Sequence, residues 1–186
     1  ATMHDAHFVA DLKTRFNAGE ALDFVFFWGH RRSKTGVTTS CFSQWYEAPF
    51  VVDGERYATA EHFMMAHKAA LFGDEGNRAK VLAAPDPGAA KALGRTVRGF
   101  DEAKWVEHRF DIVVRANRAK FAQHSELARF LAHTGSAVLV EASPVDTVWG
   151  IGLARDAEHV DNPNHWRGLN LLGFALMQVR DMRDGG

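Results

Sequence analysis

The apolar positions of this chain change period several times, and the changes predict an alternation of short helices and strands. Phe8, Leu12 and Phe16 recur at every fourth residue, which predicts a short polar helix over 4–17, stopped by Asn17-Ala18-Gly19. The continuous aromatic run from Leu22 to Trp28 reads as a buried strand, followed over 29–36 by a basic loop with Arg31, Arg32 and Lys34. Between Pro49 and Tyr57, Asp53-Gly54 separates two short apolar stretches. That is a hairpin signal, because both residue types tolerate the positive φ of a tight turn. The hairpin delivers the chain to Thr59, whose hydroxyl can cap a helix that runs to about Phe72 and stops at Gly73.

Two short helices are expected at 75–84 and 87–94, separated by Pro85-Asp86-Pro87 and carrying Lys80, Lys91 and Arg95 among alanines. Close packing of small residues is their expected task. Asp101 should cap the longest helical run, 102–121, where Trp105, Ile112, Ala116 and Ala119 keep helical spacing. Ser125 should cap a helix ending at His133, and Ala137 to Glu141 returns to strand. Residues 142–152 form a glycine-interrupted loop and 154–165 a second loop rich in Asp, Asn and His. An apolar helix over 167–182 closes the chain, with Asn170 near its start and placed to hydrogen-bond into a site. No linker or composition break divides this order, so the expectation is one mainly α domain with several short β-strands.

Composition narrows the functions available. The chain has 186 residues, 46% hydrophobic and 24% charged, enough for a substantial core without staples. Twenty-two basic residues against twenty-three acidic ones leave a net charge of -1, which argues against a general nucleic-acid coat but not against one modified nucleotide held in a pocket. Cys41 is the only cysteine, so neither an intrachain disulfide nor a thiolate metal cluster is available. No apolar run approaches the ~20 residues of a membrane span and no signal segment opens the chain, so a cytoplasmic location without a membrane partner is expected.

Nucleophilic and metal chemistry find little support. There is no G-x-S-x-G elbow, and Cys41 lacks any local feature that would lower its pKa, so it reads as a small hydrophobe. His62 and His67 fall on different faces of their helix, no H-E-x-x-H pattern occurs, and phosphate-loop and dinucleotide fingerprints are absent. No metal and no cofactor are therefore expected. What remains is carboxylate chemistry by Glu61, Glu141 and Asp146 among aromatic and basic side chains.

Glu61 and Lys68 share a helix face about 10 Å apart along the axis, where they could bracket a small polar ligand. They could equally be a dipole-favoured acid and a solvated amine. Asp146 and Trp149 lie in one loop, and Gly150 and Gly152 leave no side-chain bulk around Ile151, so backbone there could approach a ligand. Arg31 and Arg32 are suitable donors for phosphate oxygens, or a solvated turn. Cleavage of a C–N bond at a sugar anomeric carbon suits this inventory. An ionised carboxylate favours the cation that develops as the base departs, and a carboxylate orients the attacking water. Trp28, Trp105 or Trp149 could stack on the base. At a helix N-terminus Glu61 is expected to stay ionised, a charge stabiliser rather than an acid.

Several of these pieces occur together in one known family. They include Phe42-Ser43-Gln44-Trp45 before Pro49-Phe50, Asp53-Gly54 with Tyr57, and Glu61-His62-Phe63 with Lys68-Ala69. Leu71-Phe72-Gly73-Asp74, Ala90-Lys91 with Gly94-Arg95, Trp105, Lys120-Phe121, Thr134-Gly135 and Val140-Glu141-Ala142 continue the series. Asp146 with Trp149-Gly150-Ile151-Gly152, and Trp166-Arg167-Gly168-Leu169-Asn170 with Leu172-Gly173, complete it. In these the chain resembles the NADAR, or YbiA-like, domain over about residues 24 to 180. The resemblance implies a single compact YbiA-like helical domain over 24–183, with 1–23 as an N-terminal helical extension.

It also implies an N-glycosidase. Members hydrolyse the ribosylamine bond of phosphorylated pyrimidine intermediates of the riboflavin pathway, and others remove ADP-ribose from guanine in nucleosides or DNA. On that basis Glu61, Trp105, Asp146 and Trp149 are the expected functional set, with Lys68 and Asn170 in support. Glu61 is expected as the principal catalytic carboxylate, and Asp146 as the partner that positions water or the ribose hydroxyls. Gln44 stands where the family often has Asn, which moves its amide by one methylene and shifts ligand orientation. The Gly-Ile-Gly loop supports an ADP-ribosyl-guanine substrate, free or within nucleic acid. The alternatives are a riboflavin-pathway intermediate and a noncatalytic module that binds ADP-ribose or a related nucleotide. Oligomeric state is left open.

Overall fold

The hydrophobic pattern resolves, in a computed structural model that describes residues 5–184, into helices joined by two small sheets. His4 at the head of the expected first helix, and the rest of 1–4 in the 1–23 extension, lie outside the described residues. Helix α1 (His7–Asn17) buries Val9 and Leu12 and lays Phe8 against Phe110 and Phe174. The aromatic run forms β1 (Phe24–Phe27), and a turn of 3-10 helix follows at Thr39–Phe42. Strands β2 (Phe50–Val52) and β3 (Glu55–Tyr57) form the expected hairpin, with Asp53 at φ 51° and Gly54 at φ 80°. Two consecutive positive φ values give the turn whose twist matches that of the strands it joins.

Helix α2 (Ala60–Leu71) starts where expected, the Thr59 side chain accepting from the His62 N–H. Helices α3 (Glu75–Leu82) and α4 (Pro87–Gly94) are capped by Asp74 and Asp86, and α5 (Glu102–Gln123) by Asp101. Helix α6 (Ser125–His133) differs from expectation at its start. Ser125 is its first helical residue, the cap position belongs to His124, and no side chain accepts there. Strand β4 (Val138–Glu141) pairs in parallel with β1, Phe27 opposite Glu141.

The closing helix α7 (Leu171–Asp184) begins four residues later than its apolar pattern suggested. The cause is competition for backbone partners. Arg167, Leu169 and Asn170 donate their N–H groups to the carbonyls of Ile151, Thr147 and Gly150, so 167–170 runs extended along the glycine-interrupted loop. Asn170 then turns the chain at φ 54°, a left-handed conformation that Asn tolerates better than most residues.

The main core gathers Phe42, Phe50, Phe63, Ile112, Val113, Phe121, Leu139 and Leu172 beneath α2, α5 and α7, while a smaller cluster joins α1, β4 and Trp166. The fold is mainly α-helical with several short strands. Among the described residues, no helix is long and apolar enough to cross a membrane. The consequence for the site is topological. Parallel pairing of β1 with β4 sets the ends of two distant segments side by side, with Glu141 facing the first turn of α2 and the alanine-rich α4.

Candidate active site

The first wall of the site is the start of α2. Thr59 holds this turn, and the His62 ring is occupied on both sides: Nδ1 lies 2.8 Å from the Thr59 hydroxyl and Nε2 lies 3.0 Å from the Ala84 carbonyl oxygen. The Glu61 N–H donates to the Gln44 carbonyl at 3.0 Å, tying α2 to the segment 43–45. That segment is fixed from behind by Lys120. Its ammonium, wholly buried, donates to the carbonyls of Cys41 at 2.7 Å and Ser43 at 3.0 Å. Asn117 completes the support, donating to Gln44 Oε1 at 2.9 Å.

The opposite wall is the loop after β4. Asp146 Oδ1 accepts from the N–H groups of Val148 (2.9 Å) and Trp149 (2.8 Å), while the Asp146 N–H donates to Ser143 Oγ. A carboxylate bonded to its own turn is held as part of the scaffold. Glu141 ends β4, its N–H donating to Asn170 Oδ1 and its carbonyl accepting from the Ile151 N–H.

Glu61, Glu141 and Asp146 converge on one cavity of about 230 Å³ with Gln44, Lys68, Lys91, Arg95, Trp105 and Trp149. Among the described residues, none of Lys68, Lys91 and Arg95 is in an ion pair. Lys68 instead lies over the Phe100 and Trp105 rings, and Lys91 is 6.0 Å from the centre of Trp45. A wider outer lobe of about 420 Å³ adjoins it and shares Ser43, Trp45, Lys91, Glu141 and Asp146 as lining. Trp28, His30 and Val145 form the far side of that lobe.

Burial pushes the Glu61 carboxyl up to about 7. Lys91 opposes the shift, Asp146 adds to it, and Lys68 and Arg95 oppose it. At neutral pH the carboxyl is then only partly ionised, where the helix N-terminus alone was expected to keep it ionised. The dipole is worth about 0.3–1 kcal/mol, less than the cost of taking a carboxylate out of water at 4% exposure. Glu141 is pushed further, to about 8, by burial and then by the charges of Asp146 and Glu61, with Lys91 opposing. The ammonium of Lys68 is lowered by its own burial, against the attraction of Glu61.

Seven residues singled out in the sequence, Glu61, Glu141, Asp146, Gln44, Lys68, Trp105 and Trp149, come together here. Others are placed differently. Trp28 is 62% exposed and lines only the outer lobe. Arg31 and Arg32 border a separate depression under Trp45, and Arg32 already donates to the Glu47 carbonyl and lies over the Tyr46 ring. Asn170 is fully buried, its amide spent on Glu141 N–H and the Leu139 carbonyl, so it braces β4 from behind.

Gly150 and Gly152 sit against the chain itself. A Cβ on Gly150 would meet the Glu141 carbonyl and Oε2 at 2.9 and 3.0 Å, and one on Gly152 would meet Arg167 and Thr147. Lys91 of α4 and Arg95 at its end, on a helix whose expected task was close packing, line the cavity with Glu61. One local signal marks them: they are spaced i, i+4, with Pro87 and Gly99, and no acid, at the next helical steps.

The NADAR domain family matches residues 26–182. The chain is similar to an N-glycosidase of Acanthamoeba polyphaga mimivirus, 44% identical over 164 residues, which is 85% of this chain and 95% of the viral one. It is similar to the N-glycosidase YbiA of Escherichia coli K12, 34% identical over 140 residues, covering 75% of this chain and 79% of that protein. The solution structure of E. coli YbiA superposes with a TM-score of 0.70 at 30% identity, covering 87% of this chain and 85% of the other.

Proposed function

The chain belongs to the NADAR domain family and is an N-glycosidase, and from that premise we propose that it hydrolyses the C1′–N bond of ADP-ribosylated guanine. The observation that carries this reading is the pair of adjoining lobes, which share Glu141, Asp146 and Lys91 as lining, with Arg95 and Lys68 on the inner side. Three carboxyl groups around one point suit a reaction in which positive charge develops on a sugar. Lys91 and Arg95 are free to hold phosphate oxygens, and the tryptophans at both ends offer flat surfaces to two bases. A ligand with a base at each end of a ribosyl diphosphate fits this layout better than a single nucleoside.

In this reading Glu61, in its ionised form, stabilises the ribosyl cation. Asp146, held rigidly by its turn, directs water or the ribose hydroxyls. Trp105 and Trp149 enclose the reacting sugar and base, excluding water and strengthening the field of the carboxylates. Lys68 balances the charge of Glu61. The inner lobe alone is compact enough to favour a second substrate class, a phosphoribosylamino-pyrimidine, and the test therefore compares the two.

Purified protein is incubated with ADP-ribosyl-guanosine, ADP-ribosylated single-stranded DNA and the phosphoribosylamino-pyrimidine, and products are identified by mass spectrometry. The expected result is free ADP-ribose from the guanine adducts at the highest kcat/KM. Faster hydrolysis of the pyrimidine refutes the ADP-ribosyl reading. An intact ligand retained in every case leaves a binding module in place of this enzyme reading.

A further inference from the structure

We propose that Glu141 is a catalytic residue of this reaction, the general acid that protonates the departing base at the junction of the two lobes. Glu141 lines the inner lobe together with Glu61 and Asp146, and with Asp146 it lines the outer lobe as well, so a base leaving a sugar held at Glu61 departs past its side chain. The backbone on either side of the Glu141 carboxyl is pinned by Asn170 and Ile151. Its seat exists because Gly150 has no side chain, since a Cβ there would press on Oε2 at 3.0 Å. Oε2 is buried and has no hydrogen-bond partner in the protein. A buried carboxyl oxygen without a partner favours the neutral acid, and because Oε2 stays inside the protein the proton is delivered from the side of the carboxyl that lines the cavity.

The surroundings keep the proton in place until it is used. Asp146 from the following loop and Glu61 from α2 both oppose ionisation of Glu141, and Lys91 from α4 favours it. Lys68 and Arg95 line the inner lobe, and His30 faces the outer one. Strand β1 contributes only Phe and Val beside β4, and the start of α7 contributes Asn170 and leucines. Held near 8 by burial and like charge, the carboxyl is mostly protonated at neutral pH.

The step balances without a further reactant. The C1′–N bond breaks with its electron pair on the base, and the Glu141 proton passes to the base, leaving a carboxylate. Water adds to C1′ and gives its proton to Asp146 or Glu61, from which exchange with solvent restores the Glu141 proton. The products are the neutral base and a sugar with a free anomeric hydroxyl. This inference rests on the proposed assignment of Glu61 and Asp146 to the cation and the water.

The test has two arms. The first is the pH profile of kcat/KM on whichever of the two substrate classes the wild type hydrolyses. The wild type should give a bell with its alkaline limb near pH 8. Glu141→Gln should fall at least ~100-fold and lose that limb, and Glu141→Asp should recover part of the rate with the limb restored. A Glu141→Gln profile that is scaled down but keeps both limbs would show a merely structural residue and overturn the proposal.

The second arm needs no substrate. In a Glu61→Gln background, which removes the neighbouring titration and with it one charge that opposes ionisation of Glu141, infrared spectra should show a protonated-carboxyl band that disappears as pH rises, with a midpoint below about 8 but still above the ordinary carboxylate range, and that is missing when Glu141→Gln is added. A band that titrates in the ordinary carboxylate range, or no such band, overturns the proposal even where the substrate assignment holds. A band that titrates as expected, in a protein that hydrolyses only the pyrimidine, separates failure of the ADP-ribosyl reading from failure of this one.

Discussion

Replacing Glu61 by Gln should make the protein more stable and less active at once, and the size of the first effect follows from burial. The Glu61 carboxyl is raised from 4.5 to about 7, so folding favours its protonated form. That contribution is fully present below pH 4.5 and is lost as pH rises through 7. Above that, the folded chain carries a desolvated carboxylate. At ~1.4 kcal/mol per unit, the shift corresponds to about 3 kcal/mol. Gln keeps the shape and is neutral at every pH, so at pH 8.5 it should unfold about 3 kcal/mol less readily than wild type, and the thermal midpoint should rise by roughly 6–12 °C.

The gain should shrink as pH falls below 7, be small at pH 4.5, where the unfolded carboxyl is half ionised, and vanish below that, where Glu61 is protonated in both states. Urea unfolding followed by circular dichroism at pH 4.5, 6, 7 and 8.5 measures it. Turnover at pH 7.5 should drop at least ~100-fold in the same variant, because a preorganised charge is removed at nearly constant shape. Equal or lower stability of Glu61→Gln at pH 8.5, or a gain that does not change with pH, would refute the reasoning about burial. Turnover at the wild-type level would refute the assignment of Glu61.

Other residues divide in ways that separate holding from reacting. Asp146→Asn keeps the Oδ1 acceptor for the Val148 and Trp149 N–H groups, so it should abolish most turnover with little change in stability, whereas Asp146→Ala should also cost about 1–2 kcal/mol by urea melt. Lys91→Met or Arg95→Met should raise the KM of phosphorylated substrates more than Arg31→Ser does, since the first two line the cavity of Glu61; the reverse order in steady-state assays would place phosphate in the depression beside Arg31. Lys120→Met leaves two buried carbonyls without their donor and should lower stability by roughly 2–4 kcal/mol while loosening the wall at 43–45, visible as faster amide exchange there. Gly94→Ala would drive a Cβ into Met65, which lines the same cavity, and should cost about 1–3 kcal/mol and raise KM.

The local elements were largely legible along the chain. Asp53-Gly54, Thr59, Asp86 with Pro87 and Asp101 act on their immediate neighbours, through φ preference or a side-chain acceptor one turn away, and the hairpin and helices begin where these residues stand. The exceptions are informative. Ser125 does not cap α6, and α7 starts late because the N–H groups of 167, 169 and 170 find carbonyls in the loop 147–151. That pairing is between segments distant in sequence, so no local pattern announces it.

The sequence by itself determined the element order and the chemical inventory: an acid in the first turn of a capped helix, a second in a tight turn beside tryptophan, and a basic pair on an alanine-rich helix. Only the tertiary structure decided what each of them is. Pairing of 150–151 and Asn170 with β4 set Glu141 over Gly150 and turned Asn170 from a site residue into a brace, and packing of α4 on α2 closed Lys91 and Arg95 onto Glu61. The protonation of Glu61 and Glu141 was decided there too. A helix dipole is a property of a few residues in a row, but desolvation and repulsion between carboxylates depend on everything packed around them, and that is fixed only when distant segments meet.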